Sequence, residues 1–323
     1  MKKLRVETET FQRRLVRILK PLGYSDREAR EVVTEFINNE LIGKNQIGLK
    51  VFKRLVGYNK EQVKTPIEVS INGNIATVDA GGRFAHSVAQ TVINILTKKT
   101  NKMGVCIVGI KNNTSFLKAG YLVKRLVDLG YIGISFMYVD VPFSSPTKIR
   151  KPLFGTNPIA IGIPCGQFRL LYDSSTTAIS GGKKKQMEEA SIYKLQESIG
   201  LNNEGKLTNI LSETMSVLPL GGDKGFGLLL AMEMLAGSLL GYQIQNKNGK
   251  YHADNGILTI AIDPKKFGNA GMFEQRNERL LSLLKKESKG KLHIPGDDYS
   301  ALKRSSKYMY VSKDTLDEIL KMG

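Results

Sequence analysis

The chain has 323 residues, 41% of them hydrophobic and 24% charged. This is a globular composition with the length for one large lobed domain or two domains, and it excludes a disordered or fibrous protein. The formal charge of +18 favours acidic small molecules, polyanions or acidic membrane surfaces as non-specific partners, and two cysteines exclude a disulfide scaffold or a multi-cysteine zinc site.

The N-terminal part reads as helices. Phe11, Leu15, Ile18, Leu19 and Leu22 recur at helical spacing, and Pro21 and Gly23 end that run. Ser25 and Glu28 form a capping box ahead of an apolar stripe, Ala29, Val32, Val33, Phe36 and Ile37. From about residue 66 the period changes to two. Ile67, Val69 and Ile71 lead through Asn72-Gly73 to Ile75, Thr77 and Asp79, which predicts a hairpin. GVCIVGI from Gly104 to Ile110, a helix over 117–129 and a strand from Ile132 to Val139 read as a β-α-β unit. Two further strands are expected from Ile159 to Pro164 and from Phe168 to Tyr172. A Lys-rich, more polar helix-and-loop region then runs from Lys183 to about residue 216. The most apolar stretch, Gly225 to Gly241, is short for a membrane span and carries Glu233, so it reads as a buried helix. Ile257 to Ile262 is a last strand, and the tail is charged and helical with a Pro295-Gly296 turn. The opening MKKLRVETETFQRRLVRILK lacks an uninterrupted apolar core and a small-residue cleavage site, so a soluble cytoplasmic protein is expected.

Several familiar motifs fail. No G-x-G-x-x-G follows a strand, so the ordinary Rossmann fingerprint is absent. Gly200-LNNE-Gly205-Lys206 looks like a P-loop, but Leu207 replaces the Ser/Thr and no apolar strand precedes it. His86, His252 and His293 have no metal-ligand spacing, and Cys106 and Cys165 sit inside apolar strand patterns as inert thiols. Lysines and arginines are spread along the chain without an RNA- or DNA-binding motif or interleaved aromatics. A solvated basic surface is the expectation, rather than a nucleic-acid site with its steep salt dependence.

Three glycine-bearing segments remain. They are Leu153-Phe154-Gly155-Thr156-Asn157-Pro158; Tyr172-Asp173-Ser174-Ser175-Thr176-Thr177 with Gly182-Lys183 after it; and Leu218-Pro219-Leu220-Gly221-Gly222-Asp223-Lys224-Gly225. The last is either a plain turn and cap or an anion site built from free backbone N–H groups and a lysine. In this order the segments resemble the type 2 malate/L-lactate dehydrogenase family, which includes ureidoglycolate, sulfolactate and piperideine-2-carboxylate oxidoreductases. The resemblance runs from Glu40-Leu41-Ile42-Gly43 through Ile75-Ala76-Thr77-Val78-Asp79, Gly104-Val105 and Gly130-Tyr131-Ile132-Gly133-Ile134. It ends at Ile294-Pro295-Gly296-Asp297 with Arg304. It implies a homodimeric α/β enzyme with a mixed sheet and a non-Rossmann cofactor lobe at 66–269. A helical lobe is expected from 1–65 together with 270–323. It further implies NAD or NADP as cofactor, with Asp173, Ser174 and Ser175 along it, Lys224 and Gly225 near its phosphates or ribose, and Pro295, Gly296 and Asp297 closing over it. The substrate would be a small 2-hydroxy or 2-oxo acid or a cyclic imino acid.

The reacting positions depart from the family. Its D-S-H-G-x-x-R stretch reads Asn45-Gln46-Ile47-Gly48-Leu49-Lys50-Val51, so Ile47 stands at the histidine and Val51 at the carboxylate-binding arginine. Its N-S-N-H-x-G stretch reads Asn112-Asn113-Thr114-Ser115-Phe116-Leu117, which places Ser115 at the second histidine and Leu117 at a glycine near the cofactor. Val139 stands where a small polar cofactor contact is often found. Serine has too high a pKa to replace imidazole as a base, and valine cannot grip a carboxylate in two places. Lys50, Lys53 and Arg54 offer charge nearby, though not from the matching position. Candidate replacements for the proton-transfer group are Lys111, Lys118, Tyr121 and His86. The alternative is a catalytically inactive relative acting as a binding or regulatory protein.

Overall fold

The computed structural model describes residues 3–60, 64–115, 117–242, 255–268, 270–300 and 307–322; Phe116, His252 and Arg304 lie outside the described residues. A strand β1 (Lys3–Glu7) opens into helix α1 (Thr8–Leu19), followed by α2 (Asp26–Leu41) and α3 (Phe52–Lys60). The Ser25–Glu28 capping box forms at the start of α2, with both side-chain-to-backbone bonds made. Strands β2 (Glu68–Asn72) and β3 (Ile75–Arg83) form the predicted hairpin, Asn72 facing Ile75 across a turn at Gly73. Next come α4 (Ala89–Met103), β4 (Val105–Asn113), α5 (Gly120–Asp128), β5 (Ile132–Val139), β6 (Ile159–Cys165), β7 (Phe168–Ser174) and α6 (Gly181–Glu189). Three two-residue strands, β8 (Gly200–Leu201), β9 (Leu207–Thr208) and β10 (Ser216–Val217), precede α7 (Asp223–Met232). A π-helical turn, Glu233–Gly237, and a 3-10 turn, Ser238–Leu240, continue α7. The chain ends with β11 (Asn255–Ile262), α8 (Ala270–Glu287), the single turn α9 (Asp297–Ser300), β12 (Tyr308–Ser312) and α10 (Lys313–Leu320).

Seven strands form one mixed sheet in the order β2-β3-β4-β11-β5-β6-β7. β3 and β4 run parallel, and the other neighbouring pairs are antiparallel. The expected β4-α5-β5 unit is present, but β11 is inserted between its two strands and pairs antiparallel with both. The period-two alternation sends Cys106, Val108 and Ile110 of β4 and Ile257 and Ala261 of β11 to one face, under α4 and α5. Ile107 and Leu258 point the other way, to Ala236 and Leu240 in the continuation of α7. Helix α8 covers the same far face near β6, with Leu281 against Cys165 and Ile294.

A second core joins α1, α2 and α3 to Phe84, Met309, Val311 and Ile319. Phe36 meets Phe52 edge-on at 5.1 Å and Phe84 at 6.2 Å. The Tyr24 hydroxyl accepts from the Phe84 amide and donates to Asn59, so this core is tied to the end of β3. Five strands were not expected from the sequence: β8, β9 and β10 lie in the region read as helix and loop, and β1 pairs antiparallel with β12, closing the N-terminal strand onto the tail.

The apolar stretch after Gly225 is only partly interior. Leu229, Met232 and Ala236 are buried, whereas Leu228, Met234, Leu235 and Leu239 are exposed. Among the described residues no helix is long and apolar enough to cross a membrane. The P-loop look-alike belongs to the small β8-β9-β10 sheet, where Gly205 turns between β8 and β9 and Lys206 pairs with Glu204. No helix starts there to meet a phosphate.

Candidate active site

The three glycine segments converge through backbone bonds. Thr176 donates from its amide to Thr156 O (3.0 Å) and from its hydroxyl to Asn157 O (3.0 Å), while its carbonyl accepts from the Leu220 amide (2.9 Å). Gly221 and Gly222 follow at φ +70° and +68°, a conformation other residues rarely hold, and bring the chain to the start of α7. The first amides of that helix have no acceptor within it, and Lys224 is exposed beside them, next to Asp223. The hydroxyls of Ser174 and Ser175 turn back on the chain, to Ser175 O and Thr177 O. Pro295 O accepts from the Leu171 amide, which fixes the Pro295-Gly296 turn on β7. Asp297 accepts from the Ile294 amide and from Lys285, both at 3.0 Å. Burial works against its charge, but these two donors more than offset it and hold the carboxyl below the usual carboxylate range.

A second group of polar residues lies between α2 and α5. The Lys118 ammonium is buried just before α5, 2.8 Å from Glu35 and 2.6 Å from Asn39, both on α2. Asp173, at the end of β7, accepts from the Gly120 amide at the start of α5. Burial of its carboxyl raises its pKa, while Lys118 and Lys44 pull it down. A side chain at position 120 would put a Cβ 2.7 Å from the Asp173 carboxylate, so this approach needs glycine. A cleft of about 280 Å³ opens on this group between the two helices, lined by Glu31, Glu35, Lys118, Tyr121, Lys124 and Arg125 among others. At its mouth Glu31 accepts from Tyr121 (2.8 Å) and from Arg125 (3.0 Å). Among the described residues no cluster of three His, Cys, Asp or Glu side chains could hold a metal.

The segment 45–51 borders the same region and is held by its backbone. Asn39 donates to Ile47 O (3.0 Å); Glu40 accepts from the Leu49 amide (3.1 Å) and from Asn45. Burial raises the Glu40 pKa against those bonds. Gln46 lies against Gly182, and Lys50 pairs with Glu189 of α6.

A family model described as malate/L-lactate dehydrogenase matches residues 6–319. The chain belongs to this oxidoreductase family. It is 30% identical over 294 residues to the malate/(S)-sulfolactate dehydrogenase of Methanothermus fervidus, covering 88% of this chain and 86% of that protein. It is also 30% identical over 242 residues to a Δ1-pyrroline-2-carboxylate/Δ1-piperideine-2-carboxylate reductase of Pseudomonas syringae pv. tomato, with 72% and 69% covered. The crystal structure of the Δ1-piperideine-2-carboxylate reductase from that organism superposes with a TM-score of 0.85 at 25% identity, over 99% of this chain and 100% of the other. The fold is shared as well with the sulfolactate dehydrogenase of Methanocaldococcus jannaschii, with a TM-score of 0.84 over 99% and 96% of the two chains at 24% identity.

Of the positions that the sequence resemblance sets opposite the family's histidines and arginine, Ile47 is half-buried and in none of the core clusters. Val51 is buried in the helical core with Leu49 and Phe52. Ser115 is half-buried, and its carbonyl accepts from the Ala85 amide. Lys53 and Arg54 are exposed, and Lys111 lies 4.0 Å from Asp79. His86 is wholly buried, edge-on to Tyr121 at 4.9 Å. Burial first, and then the Lys118 charge, push its pKa down to about 3. Glu35 and Asn39 were not singled out from the sequence. The signal was present, since Glu31, Glu35 and Asn39 repeat at i, i+4 and i+8 beside the apolar stripe of α2.

Proposed function

We propose that the chain is an NAD(P)-dependent oxidoreductase for a small 2-oxo or 2-hydroxy acid or a cyclic imino acid, with Lys118 replacing the missing proton-handling and carboxylate-binding groups. One observation carries this: a lysine ammonium buried between Glu35 and Asn39, within the electrostatic reach of Asp173, in the β4–α5 connection where the family motif carries its second histidine. A buried cation is costly unless it is paired, and Glu35 and Asn39 meet that cost while holding the ammonium at the cleft. The cofactor half is supported by the glycine turn at Gly221-Gly222, the unsatisfied amides of α7 and exposed Lys224, a donor set that suits a diphosphate.

When bound, a nicotinamide cofactor gives or takes the hydride. The chain's own part is to hold the substrate anion against Lys118, keep Asn39 and Glu35 as the lysine's fixed acceptors, and move a proton at the substrate oxygen or nitrogen. Asp173, with its pKa raised by burial, is the neighbouring acid for that proton. The inactive-relative reading rests on Ile47, Val51 and Ser115, whose side chains can neither transfer a proton near neutral pH nor clamp a carboxylate. Titration of NADH and NADPH fluorescence separates the two readings: saturable binding supports the enzyme, and no binding at millimolar cofactor rejects it. The exposed apolar run Leu228, Leu235 and Leu239 supports a homodimer. Light scattering at micromolar concentration should give twice the 35.8 kDa chain mass; a monomer mass contradicts it.

A further inference from the structure

We infer that Glu233 is a positioning residue for the cofactor loops, fixing the Asn157 amide in one orientation from the far end of α7. This rests on the reading that those loops hold the cofactor. Glu233 is fully buried and opens the π-helical turn that follows α7, and π turns recur at functional positions. Its carboxylate accepts from Asn157 Nδ2 at 2.6 Å, and Asn157 Oδ1 accepts from the Val139 amide at 3.0 Å.

A carboxylate only accepts, so it forces the nitrogen of Asn157 toward Glu233 and the oxygen toward β5. The opposite orientation would set two N–H donors against each other at Val139 and two acceptors against each other at Glu233. Asn157 itself is held at φ +32° between Gly155 and Pro158. At Gly155 a Cβ would lie 2.1 Å from Val139 O, so the loop is pressed onto the end of β5 with no spare room.

From Asn157 the bonds continue to the other two segments. Asn157 O takes the Thr176 hydroxyl, Thr156 O takes the Thr176 amide, and Thr176 O takes the Leu220 amide just before Gly221. Glu233 therefore connects one helix back to its own glycine-rich start through both other loops. Among the described residues this side also holds Tyr138, which donates to Asp140 at 2.8 Å, and Tyr242, whose ring is 5.1 Å from that of Tyr138. Each tyrosine hydroxyl gives its one proton elsewhere, Tyr138 to Asp140 and Tyr242 to Asn255 O.

The test reverses the polarity of the pair. Asn157→Asp puts two carboxylates together; nicotinamide-cofactor affinity should fall at least about tenfold at pH 8 and recover toward pH 6 as the pair shares a proton. The double variant Glu233→Gln/Asn157→Asp restores one donor and one charge, and should bind within about threefold of wild type across that range, well inside the tenfold that one charge-assisted bond is worth. Wild-type affinity in the single variant, or no recovery in the double, overturns the inference. Should the single variant fail to fold, a double variant that folds and binds like wild type supports the pairing. A double variant that fails to fold or binds at least tenfold more weakly overturns it. Amide exchange at Val139, Thr176 and Leu220 reads the same geometry without cofactor. It should quicken at least about tenfold in the single variant and return in the double; unchanged rates overturn the inference. A wild type that binds no cofactor would sink the cofactor reading alone, because the exchange comparison still tests the pair.

Discussion

The two ends of the site differ in what builds them. At the glycine-loop end the chemistry is carried by backbone: Thr176, Leu220 and Pro295 make main-chain bonds, and Gly221 and Gly222 supply conformation. At the α2–α5 end it is carried by side chains, and there Lys118, Glu35 and Asn39 form the buried group while Val51 turns to packing. A backbone framework needs few particular residues and keeps its motif through divergence in chemistry. A side-chain cluster can be replaced by one new lysine. On the proposed reading, the half of the site that binds is the half whose motif is intact, and the half that reacts is the half where the family pattern is missing.

The strongest way to break that contrast is to look for ordinary family chemistry. Malate and lactate oxidation should be slower than for an enzyme with a positioned imidazole by about 10²–10⁴-fold, the contribution of a general acid–base group. Turnover near 10 s⁻¹, a typical enzyme rate, would show that the reacting end keeps that chemistry after all. Restoring the pattern with Ile47→His, Val51→Arg and Ser115→His should not help. Val51 sits in the core with Leu49 and Phe52, so an arginine there would bury an unpaired charge.

The next largest effect concerns Lys118. Lys118→Met leaves Glu35 buried without its cation and should cost about 3–5 kcal/mol in urea unfolding, together with turnover of whatever substrate is found. Adding Glu35→Gln should recover much of the stability and none of the turnover. If Lys118→Met unfolds like wild type, the ammonium is not held as the geometry shows, and the lysine reading falls.

Lys224 probes the other end with a smaller effect. Lys224→Ala should weaken NADH or NADPH binding by about 1–3 kcal/mol, the scale of one charge-assisted hydrogen bond, with stability unchanged because the side chain is exposed. Unaltered binding would leave the glycine turn a plain cap.

Much of this was legible in the sequence wherever the signal was local. The capping box at Ser25, the hairpin at Asn72-Gly73 and the strands at Gly104–Ile110 and Ile257–Ile262 come from patterns over a few residues, and each appears in the structure. The failures are long-range. β1 and β12 are partners some 300 residues apart, and β11 enters the sheet between two strands that precede it by more than 100 residues; no local pattern encodes either choice. At the site, Lys118 was visible only as one of several charged residues after β4, because its burial depends on Glu35 and Asn39 arriving from another element. Asn157 was legible as part of a motif, but its carboxylate partner was hidden inside the most apolar stretch of the chain, where Glu233 read only as an argument against a membrane span.

The smallest effect separates His86 from the proton-transfer candidates. Its ring is wholly buried against Tyr121, and burial together with the Lys118 charge lowers its pKa from the ordinary 6.5 to about 3. A group with a depressed folded-state pKa contributes stability above its unfolded value and loses it as pH falls toward the folded value. The unfolded chain takes up the proton that the native ring refuses. Each unit of pH between 6.5 and 5 should therefore cost the wild type about 1 kcal/mol through this residue. Asp173 and Glu40 act in the opposite sense, because their raised pKa values make the native state the better proton acceptor as the solution becomes acidic. Comparison with a variant at the same pH cancels their contribution. His86→Gln removes the titration, so its unfolding free energy should fall less steeply than that of wild type across this window, measured by urea melts at half-unit steps. Parallel curves would mean that His86 titrates normally. It would then be accessible enough to return as the base that Ser115 cannot be.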